Sequence, residues 1–251
     1  GAIVALVQPD LKKLVAYSSV SHMGFVTLGI FIFQPQGMDG AIVQMVNHGL
    51  ITGALFLLVG VLYERTHDRT IAKMGGLAAR MPVYVAIFGF FVFASAGLPG
   101  LSGFVGEFLT LVGSFAFNPL VAVTATFVMI LVAAYWLWMF QRVTTGEVSA
   151  FFSGLGSHLR DITPIEILTV APLAALVVAF GLFPGILLDI MRGSVDRALA
   201  DANAGTAIAI DPLALAIGLG ALTAVVVVRV VTLPLFRNRS SAEDLGMTDP
   251  Q

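Results

Sequence analysis

Long apolar stretches separated by short polar segments dominate the pattern of hydrophobic and polar positions along this chain. A helix that crosses a bilayer needs about 20 apolar residues, and each stretch of that order predicts one transmembrane helix. The stretches that qualify are 14–33, 40–63, 82–115, 120–140, 164–190 and 212–236. The pattern therefore favours an all-α fold, a polytopic transmembrane helix bundle that occupies residues 1–236.

The third stretch, 82–115, is longer than one straight helix needs, and the run GLPGLSG interrupts it at 97–103. Proline ends or kinks a helix, and the neighbouring glycines add to that effect. We therefore expect a discontinuous span made of two half-helices, the arrangement in which transporters place ion sites. A single long, tilted helix with a proline kink is the alternative.

Composition supports a membrane protein and excludes several function classes. Of the 251 residues 58% are hydrophobic and only 11% are charged, whereas a soluble domain is about one quarter charged. The sequence contains no cysteine, so disulfides, iron–sulfur clusters and thiolate metal sites are excluded, and its four histidines include no closely spaced pair. We expect no metal, cofactor or redox centre in this chain, and no charge run suggests nucleic-acid binding.

The basic residues predict the orientation of the bundle. If successive loops alternate between the two sides, all but two of the 13 Lys and Arg residues share one side, and Arg192 and Arg197 lie opposite. The positive-inside rule makes the basic side cytoplasmic, which places the C-terminus inside a membrane that we expect to be a bacterial plasma membrane. We expect residues 149–160 to form a short surface helix or loop. We expect residues 193–211 to form the longest external connection. We expect residues 237–251 to be a disordered cytoplasmic tail.

Glu107 is the one acidic residue deep inside an apolar stretch, and it follows the predicted break. An ionisable group in hydrocarbon is costly unless it is neutral, paired or facing water, so such a group predicts a proton or ion site. Backbone groups freed by the break must line protein or a wet cavity. Because apolar surroundings favour the protonated carboxyl group, we expect Glu107 to take up and release protons near neutral pH.

His22 and His48 fall near the middle of the first two predicted spans. Histidine takes up and releases a proton at modest energetic cost, so the two residues and Glu107 predict a proton relay. Gln44, Asn47 and the three serines of the first span supply polar groups that hold bridging waters. The alternative is that these groups only hydrogen-bond neighbouring helices, which we favour for the serines.

Two further features of the spans predict interfacial positions. Tyr135, Trp136 and Trp138 lie towards the predicted cytoplasmic end of the fourth span, where aromatic side chains form a belt at the membrane surface. Glu166 lies at the start of the fifth span, where a carboxylate interacts favourably with the helix dipole or with the interface.

Three segments carry a family resemblance: DLKKLVAYSSVSHMGF at 10–25, NHG at 47–49 with LYER at 62–65, and GLPGLSGFVGEF at 97–108. In this order they resemble the antiporter-like, proton-translocating membrane subunits of respiratory complex I, and the likeness covers residues 1–190. The acidic residue at 107 is similar to the M-type subunits of NADH:quinone oxidoreductase. The L-type and N-type subunits and the Mrp antiporter relatives usually have lysine there.

The resemblance implies the C-terminal half of a subunit with 14 transmembrane helices. His22 and His48 would lie on the central hydrophilic axis, and Glu107 would be the terminal carrier that leads to the outer exit. The glutamate–lysine pair and central lysine of the family would precede Gly1, so we expect that this fragment alone does not pump. The span at 212–236 is not expected from the family and implies an additional helix.

The resemblance also implies a function: a membrane-arm subunit that translocates protons while NADH:quinone oxidoreductase passes electrons from NADH to quinone. NADH, FMN, iron–sulfur clusters and quinone would belong to partner subunits, and L-type and N-type subunits would be neighbours. One alternative is a subunit of an Mrp-type cation/proton antiporter or a membrane-bound hydrogenase. Another is a structural bundle that does not pump and uses its buried polar groups only for helix packing.

Overall fold

The computed structural model of the protein describes residues 1–205, so the predicted span at 212–236 and the predicted tail at 237–251 lie outside the described residues. Within residues 1–205 the regular structure consists of α-helices and three short 3-10 turns, without a β-strand, which confirms the predicted all-α fold. The α-helices are α1 (Ala2–Leu6), α2 (Leu11–Phe31), α3 (Pro35–Thr66), α4 (Pro82–Ser95), α5 (Ser102–Phe117), α6 (Pro119–Thr144), α7 (Ala150–Gly154), α8 (Pro164–Leu182) and α9 (Gly185–Gly205).

Capping residues and prolines determine where the helices begin. The Asp10 side chain accepts a hydrogen bond from the Lys13 amide at 3.0 Å and so starts α2. The Asn118 side chain accepts from the Leu120 amide at 2.8 Å and so starts α6. Such caps satisfy amides that have no partner inside the helix. Proline occupies the first position of α3, α4, α6 and α8, where its missing N–H costs nothing.

Four of these helices, α2, α3, α6 and α8, are long and apolar enough to cross a membrane, and α4 and α5 are shorter apolar helices. Three predicted spans, 14–33, 40–63 and 120–140, coincide with α2, α3 and α6, although each boundary moves by a few residues. The protein is therefore an integral, multi-pass membrane protein.

The predicted break in the third span is confirmed, and the alternative of one kinked helix is wrong. Helix α4 ends at Ser95 and α5 begins at Ser102. Between them Gly97 has φ +81° and Gly100 has φ +94°, a left-handed conformation that favours glycine.

The predicted fifth span, 164–190, is wrong at its C-terminal end. Helix α8 stops at Leu182, and α9 starts at Gly185 and continues through the predicted connection as far as Gly205. Pro184 separates the two helices because proline has no N–H and its ring clashes with the preceding turn. Five charged residues make α9 unsuited to crossing a bilayer: Asp189, Arg192, Asp196, Arg197 and Asp201.

Helices α3 and α5 approach each other closely along four glycines and one glutamine, which we call the α3–α5 seam and define as Gly37, Gly40, Gln44, Gly106 and Gly113. A Cβ atom added to Gly106 would lie 2.5 Å from Gln44 Oε1, and one added to Gly113 would overlap the Gly37 backbone. A Cβ atom on Gly40 would lie 2.7 Å from Thr110 Oγ1. Such contact needs glycine on both helices, a common device in membrane bundles.

A polar cluster joins the ends of α3, α4 and α8. The Arg65 guanidinium binds both carboxylate oxygens of Glu166, at 2.9 and 2.8 Å, and also donates to the Arg160 carbonyl at 2.8 Å. The Asp161 carboxylate accepts from the Val83 and Tyr84 amides at 3.0 and 2.9 Å, so it caps α4.

Glu166 also forms a capping box with Thr163 at the start of α8, as the helix-dipole interpretation predicts. The predicted short surface helix in 149–160 is α7, Ala150–Gly154. Outside the spanning helices, hydrogen bonds from Lys73 and Thr70 hold the pKa of Asp68 well below its ordinary value.

We predict that Gly106→Ala lowers the free energy of unfolding by about 1–3 kcal/mol, because the new methyl group would overlap Gln44 of α3 and push α5 away from that helix. Gly53→Ala on α3 is the matched control, since a Cβ atom there has nothing within 4 Å. It should be neutral or stabilising by up to about 1 kcal/mol. Detergent unfolding of the intact protein measures both, and equal effects would contradict a tight seam.

Candidate functional site

The structure brings together the three residues that the sequence singled out. His22 of α2 and Glu107 of α5 are in direct contact, with 2.7 Å between Nδ1 and Oε1. The His48 ring of α3 lies beside the His22 ring, with 5.6 Å between the ring centroids. Residues that are 85 positions apart in sequence therefore form one polar centre inside the bundle. Their role in a relay stays a prediction.

His22 and Glu107 are almost fully enclosed, with 2% and 1% of their side-chain surfaces exposed. A buried ion pair recovers its desolvation cost only when geometry is good and further hydrogen bonds satisfy the remaining atoms. A proton that moves between Nδ1 and Oε1 converts the ion pair into a neutral imidazole and a neutral carboxylic acid.

The two carboxylate oxygens of Glu107 have different surroundings. Oε1 contacts His22 and also accepts a hydrogen bond from Gln44 Nε2 at 3.3 Å. Oε2 is buried and has no hydrogen-bond partner among the described residues. It faces Gly97 in the break, where an added Cβ atom would lie 3.4 Å from it.

The second ring nitrogen of His22 contacts two hydroxyl groups. Ser95 Oγ, at the end of α4, lies 3.1 Å from Nε2, and the Tyr135 hydroxyl of α6 lies 3.5 Å from it. At these distances the Ser95 hydrogen bond is the stronger one. Neither residue was identified from the sequence as part of the site.

The predicted interfacial belt is wrong for two of its three members. Tyr135 and Trp136 are fully buried, and only Trp138 is exposed, at 42%. Tyr135 lies nine residues before the end of α6 at Thr144, which at 1.5 Å per residue is about 14 Å and too deep for a surface belt. The predicted span ends at 140, so the sequence places Tyr135 closer to the surface.

Both histidines line a small cavity. His22, Gln44, His48 and Ser95 contribute polar groups to its lining, and about 10 Å³ is open to the centre of a water molecule. This volume is close to the minimum for one water, which needs two to four polar partners. The Thr52 hydroxyl lies 3.1 Å from His48 Nδ1.

The other polar side chains of these helices mainly form hydrogen bonds to backbone carbonyls within the bundle. Ser18 donates to the Val15 carbonyl of its own helix at 2.7 Å. Asn47 crosses between helices, because its Nδ2 donates to the Ser102 carbonyl at 2.6 Å. Within residues 1–205 no three His, Asp or Glu side chains are grouped closely enough to hold a metal ion.

Comparison with known proteins identifies the family. The model of a family described as NADH:quinone oxidoreductase/Mrp antiporter, transmembrane, matches residues 1–133. This chain belongs to that family. It is 53% identical over 194 residues to NADH-quinone oxidoreductase subunit M of Rhodobacter capsulatus. The aligned residues make up 77% of this chain and 37% of that protein. The protein of the same name from Rickettsia felis is 46% identical over 198 residues, 79% of this chain and 40% of the relative.

Solved structures share the fold. A chain of respiratory complex I from Thermus thermophilus superposes with a TM-score of 0.70 at 36% identity, over 80% of this chain and 41% of that chain. A chain of the Mrp complex from Dietzia sp. has a TM-score of 0.69 at 22% identity, over 80% of this chain and 45% of that one, and shows the fold alone. The chain thus spans only 37% to 40% of the length of the two curated relatives named above.

We predict that Ser95→Ala changes the ¹⁵N resonance of His22 Nε2 more than Tyr135→Phe does, because the Ser95 contact is 3.1 Å and the Tyr135 contact 3.5 Å. Nδ1, which faces Glu107, should change little in both variants. Solid-state NMR of histidine-labelled protein in lipid measures the two nitrogens separately. A larger effect of Tyr135→Phe would show that the tyrosine is the main partner.

Proposed function

We propose that the chain is the C-terminal part of a proton-translocating membrane-arm subunit of NADH:quinone oxidoreductase, complex I. The carrying observation is the buried contact of 2.7 Å between His22 and Glu107 at a broken transmembrane helix. The identity of 53% to a subunit M supports this member of the family. Partner subunits would hold NADH, FMN, iron–sulfur clusters and quinone and would carry out the electron transfer.

In this proposal a proton passes from His22 to Glu107 directly. Protonated His22 donates from Nδ1 to the Glu107 carboxylate, so the N–H bond breaks and an O–H bond forms at Oε1. The result is a neutral imidazole and a neutral carboxylic acid, a pair that is less costly in a low dielectric than two charges. The neutral imidazole keeps its proton on Nε2, so His22 reloads when its ring turns Nδ1 towards the cavity. Nδ1 there accepts a proton from a water, and protonated His48 returns a proton to that water.

The dipole of half-helix α5 contributes little to this step. The positive end of a helix stabilises a negative charge mainly within the first turn. Glu107 is the sixth residue of α5, which begins at Ser102. Contacts with His22 and Gln44, and not the dipole, therefore control the charge on Glu107.

We also propose the placement in the membrane and the partners. The bias of Lys and Arg towards one side favours a cytoplasmic C-terminus and a bacterial plasma membrane. L-type and N-type antiporter-like subunits are the proposed neighbours in the membrane arm. Glu107, His22 and His48 are the proposed carriers.

A subunit of an Mrp-type cation/proton antiporter is the second candidate, since the matching family model includes such proteins. The likeness to the Mrp complex, 22% identity, is weaker than the 36% identity to complex I. NADH-driven translocation by the assembled complex distinguishes the two, because an antiporter does not depend on NADH oxidation.

We predict that Glu107→Gln, made in the full-length subunit, lowers proton translocation by about 10²-fold or more, because glutamine cannot carry a proton. Glu107→Asp keeps the carboxyl group but shortens its reach, so it should retain part of the activity. Glu64→Gln is the matched control, since Glu64 is exposed at the end of α3. The measurement is NADH-driven proton uptake by the complex in liposomes.

Unchanged translocation by the Glu107→Gln complex would remove the proposed function and favour the bundle that does not pump. Equal losses in Glu107→Gln and Glu64→Gln would point to an effect on assembly. The amount of assembled complex in the membrane, measured beside each assay, separates that effect from the chemistry.

We predict that His22→Ala lowers proton translocation more than His48→Ala does. His22 contacts the Glu107 carboxylate at 2.7 Å, whereas His48 lies beside the His22 ring and hydrogen-bonds Thr52. A water that fills the space left by His48 can replace its role, but no water replaces a group that holds Glu107 directly. The same liposome assay ranks the two variants, and the reverse order would contradict the proposed sequence of carriers.

A further inference from the structure

Only one of the two carboxyl oxygens of Glu107 has hydrogen-bond partners among the described residues. Oε1 has two partners, His22 Nδ1 at 2.7 Å and Gln44 Nε2 at 3.3 Å. Oε2 is buried and has no partner among the described residues, although Glu107 as a whole is 0% exposed. A buried oxygen of an ionisable group without a protein partner is costly, and water is the usual partner of such an oxygen.

The α3–α5 seam closes the route that polar residues of α5 suggest. Thr110 and Ser114 follow Glu107 on one face of α5 and are fully buried. Their hydroxyls, however, donate to carbonyls of their own helix, at 2.9 and 2.7 Å. Opposite Thr110, a Cβ atom on Gly40 would overlap the Thr110 backbone and hydroxyl, so α3 packs directly against this face and leaves no room for a water there. This face therefore offers Glu107 no hydrogen-bonded path to water.

Gly97 borders the other side of Glu107. A Cβ atom on Gly97 would lie 3.4 Å from Oε2 and 4.0 Å from Met129 Cε. Because glycine has no Cβ atom, residue 97 leaves Oε2 uncovered on the side that faces the break. The next three residues of the break are exposed, and Leu98 is 49% exposed. Irregular backbone at membrane depth lines protein or water and not lipid.

We propose that Gly97 is an opening through which Glu107 delivers its proton, from Oε2, to water at the helix break. The carboxyl group, loaded at Oε1 beside His22, first turns about its Cγ–Cδ bond so that the protonated oxygen takes the position of Oε2 beside Gly97. It then transfers H⁺ to a water molecule, which breaks this O–H bond and leaves a carboxylate and a hydronium ion. Loading and release thereby occur on different sides of one carboxyl group. The inference rests on the proposed function and adds the release side and a positioning residue, Gly97.

Two glycines of the same break provide a matched test. Gly97 and Gly100 have φ values of +81° and +94°, so alanine strains the backbone similarly at either position. Alanine at 97 would cover Oε2, whereas a Cβ atom at 100 has nothing within 4 Å. The readout is hydrogen–deuterium exchange of the Glu107 carboxyl group in the assembled complex, followed by infrared spectroscopy and assigned by its loss in Glu107→Gln.

The expected result is that Gly97→Ala slows exchange, and with it NADH-driven translocation, by about two- to tenfold relative to Gly100→Ala, the range for loss of one hydrogen bond. Met129→Ala leaves the glycine in place and enlarges the opening, so exchange should be faster than in the unmodified complex. This variant also serves if Gly97→Ala fails to assemble. Neither outcome is expected from a purely structural role of the break.

Equal exchange rates in Gly97→Ala and Gly100→Ala would overturn the inference, as would slower or unchanged exchange in Met129→Ala. Such results leave the proposed function intact as long as Glu107→Gln abolishes translocation. Full translocation by Glu107→Gln overturns the proposed function itself, so the two failures are distinguishable.

Discussion

The contact between His22 Nδ1 and Glu107 Oε1, 2.7 Å long and shielded from solvent, is the constraint on which the rest of the structure depends. A carboxylate left alone at this depth costs several kcal/mol, so α2 and α5 must stay close enough to keep the pair together. Helix α3 adds Gln44 as a further donor to Oε1. That donor reaches Glu107 only because Gly106 lets the two backbones approach. The glycine seam and the polar centre are therefore parts of one solution.

The break in the third span follows from the same constraint. Ser95 and Glu107 are 12 residues apart, which in a continuous helix separates them by about 18 Å along the axis. In the structure they contact the two nitrogens of a single imidazole ring, at 3.1 and 2.7 Å. An unbroken helix cannot do this. The positive φ angles of Gly97 and Gly100 allow the chain to fold back between the half-helices, so the break is a geometric requirement of the site.

The sequence was sufficient for features that depend on composition along the chain and insufficient for those that depend on rotation about a helix axis. The lengths of the apolar stretches predicted α2, α3 and α6, and the GLPGLSG run predicted the break. The positions of His22, His48 and Glu107 deep within the predicted spans identified them as candidate site residues. Hydropathy cannot tell which face of α6 points inward, so Tyr135 was assigned to the surface although it is fully buried. The end of α8 at Leu182 was predictable, because Pro184 marks it, but the apolar residues beyond outweighed that signal.

Packing around Glu107 is unequal on its two sides, and this determines where the site is able to change at low cost. Towards α3, methyl groups on Gly106 or Gly113 overlap neighbouring atoms, so α5 has no freedom to move closer and loses dense contact when it moves away. Towards α6, a Cβ atom on Gly97 meets its neighbours at ordinary van der Waals distances of 3.4 and 4.0 Å. The carboxyl group is thus anchored to a rigid seam through Gln44 and faces a looser region at Oε2. Differences in protonation are accommodated most cheaply on the looser side, the side that the broken helix itself forms.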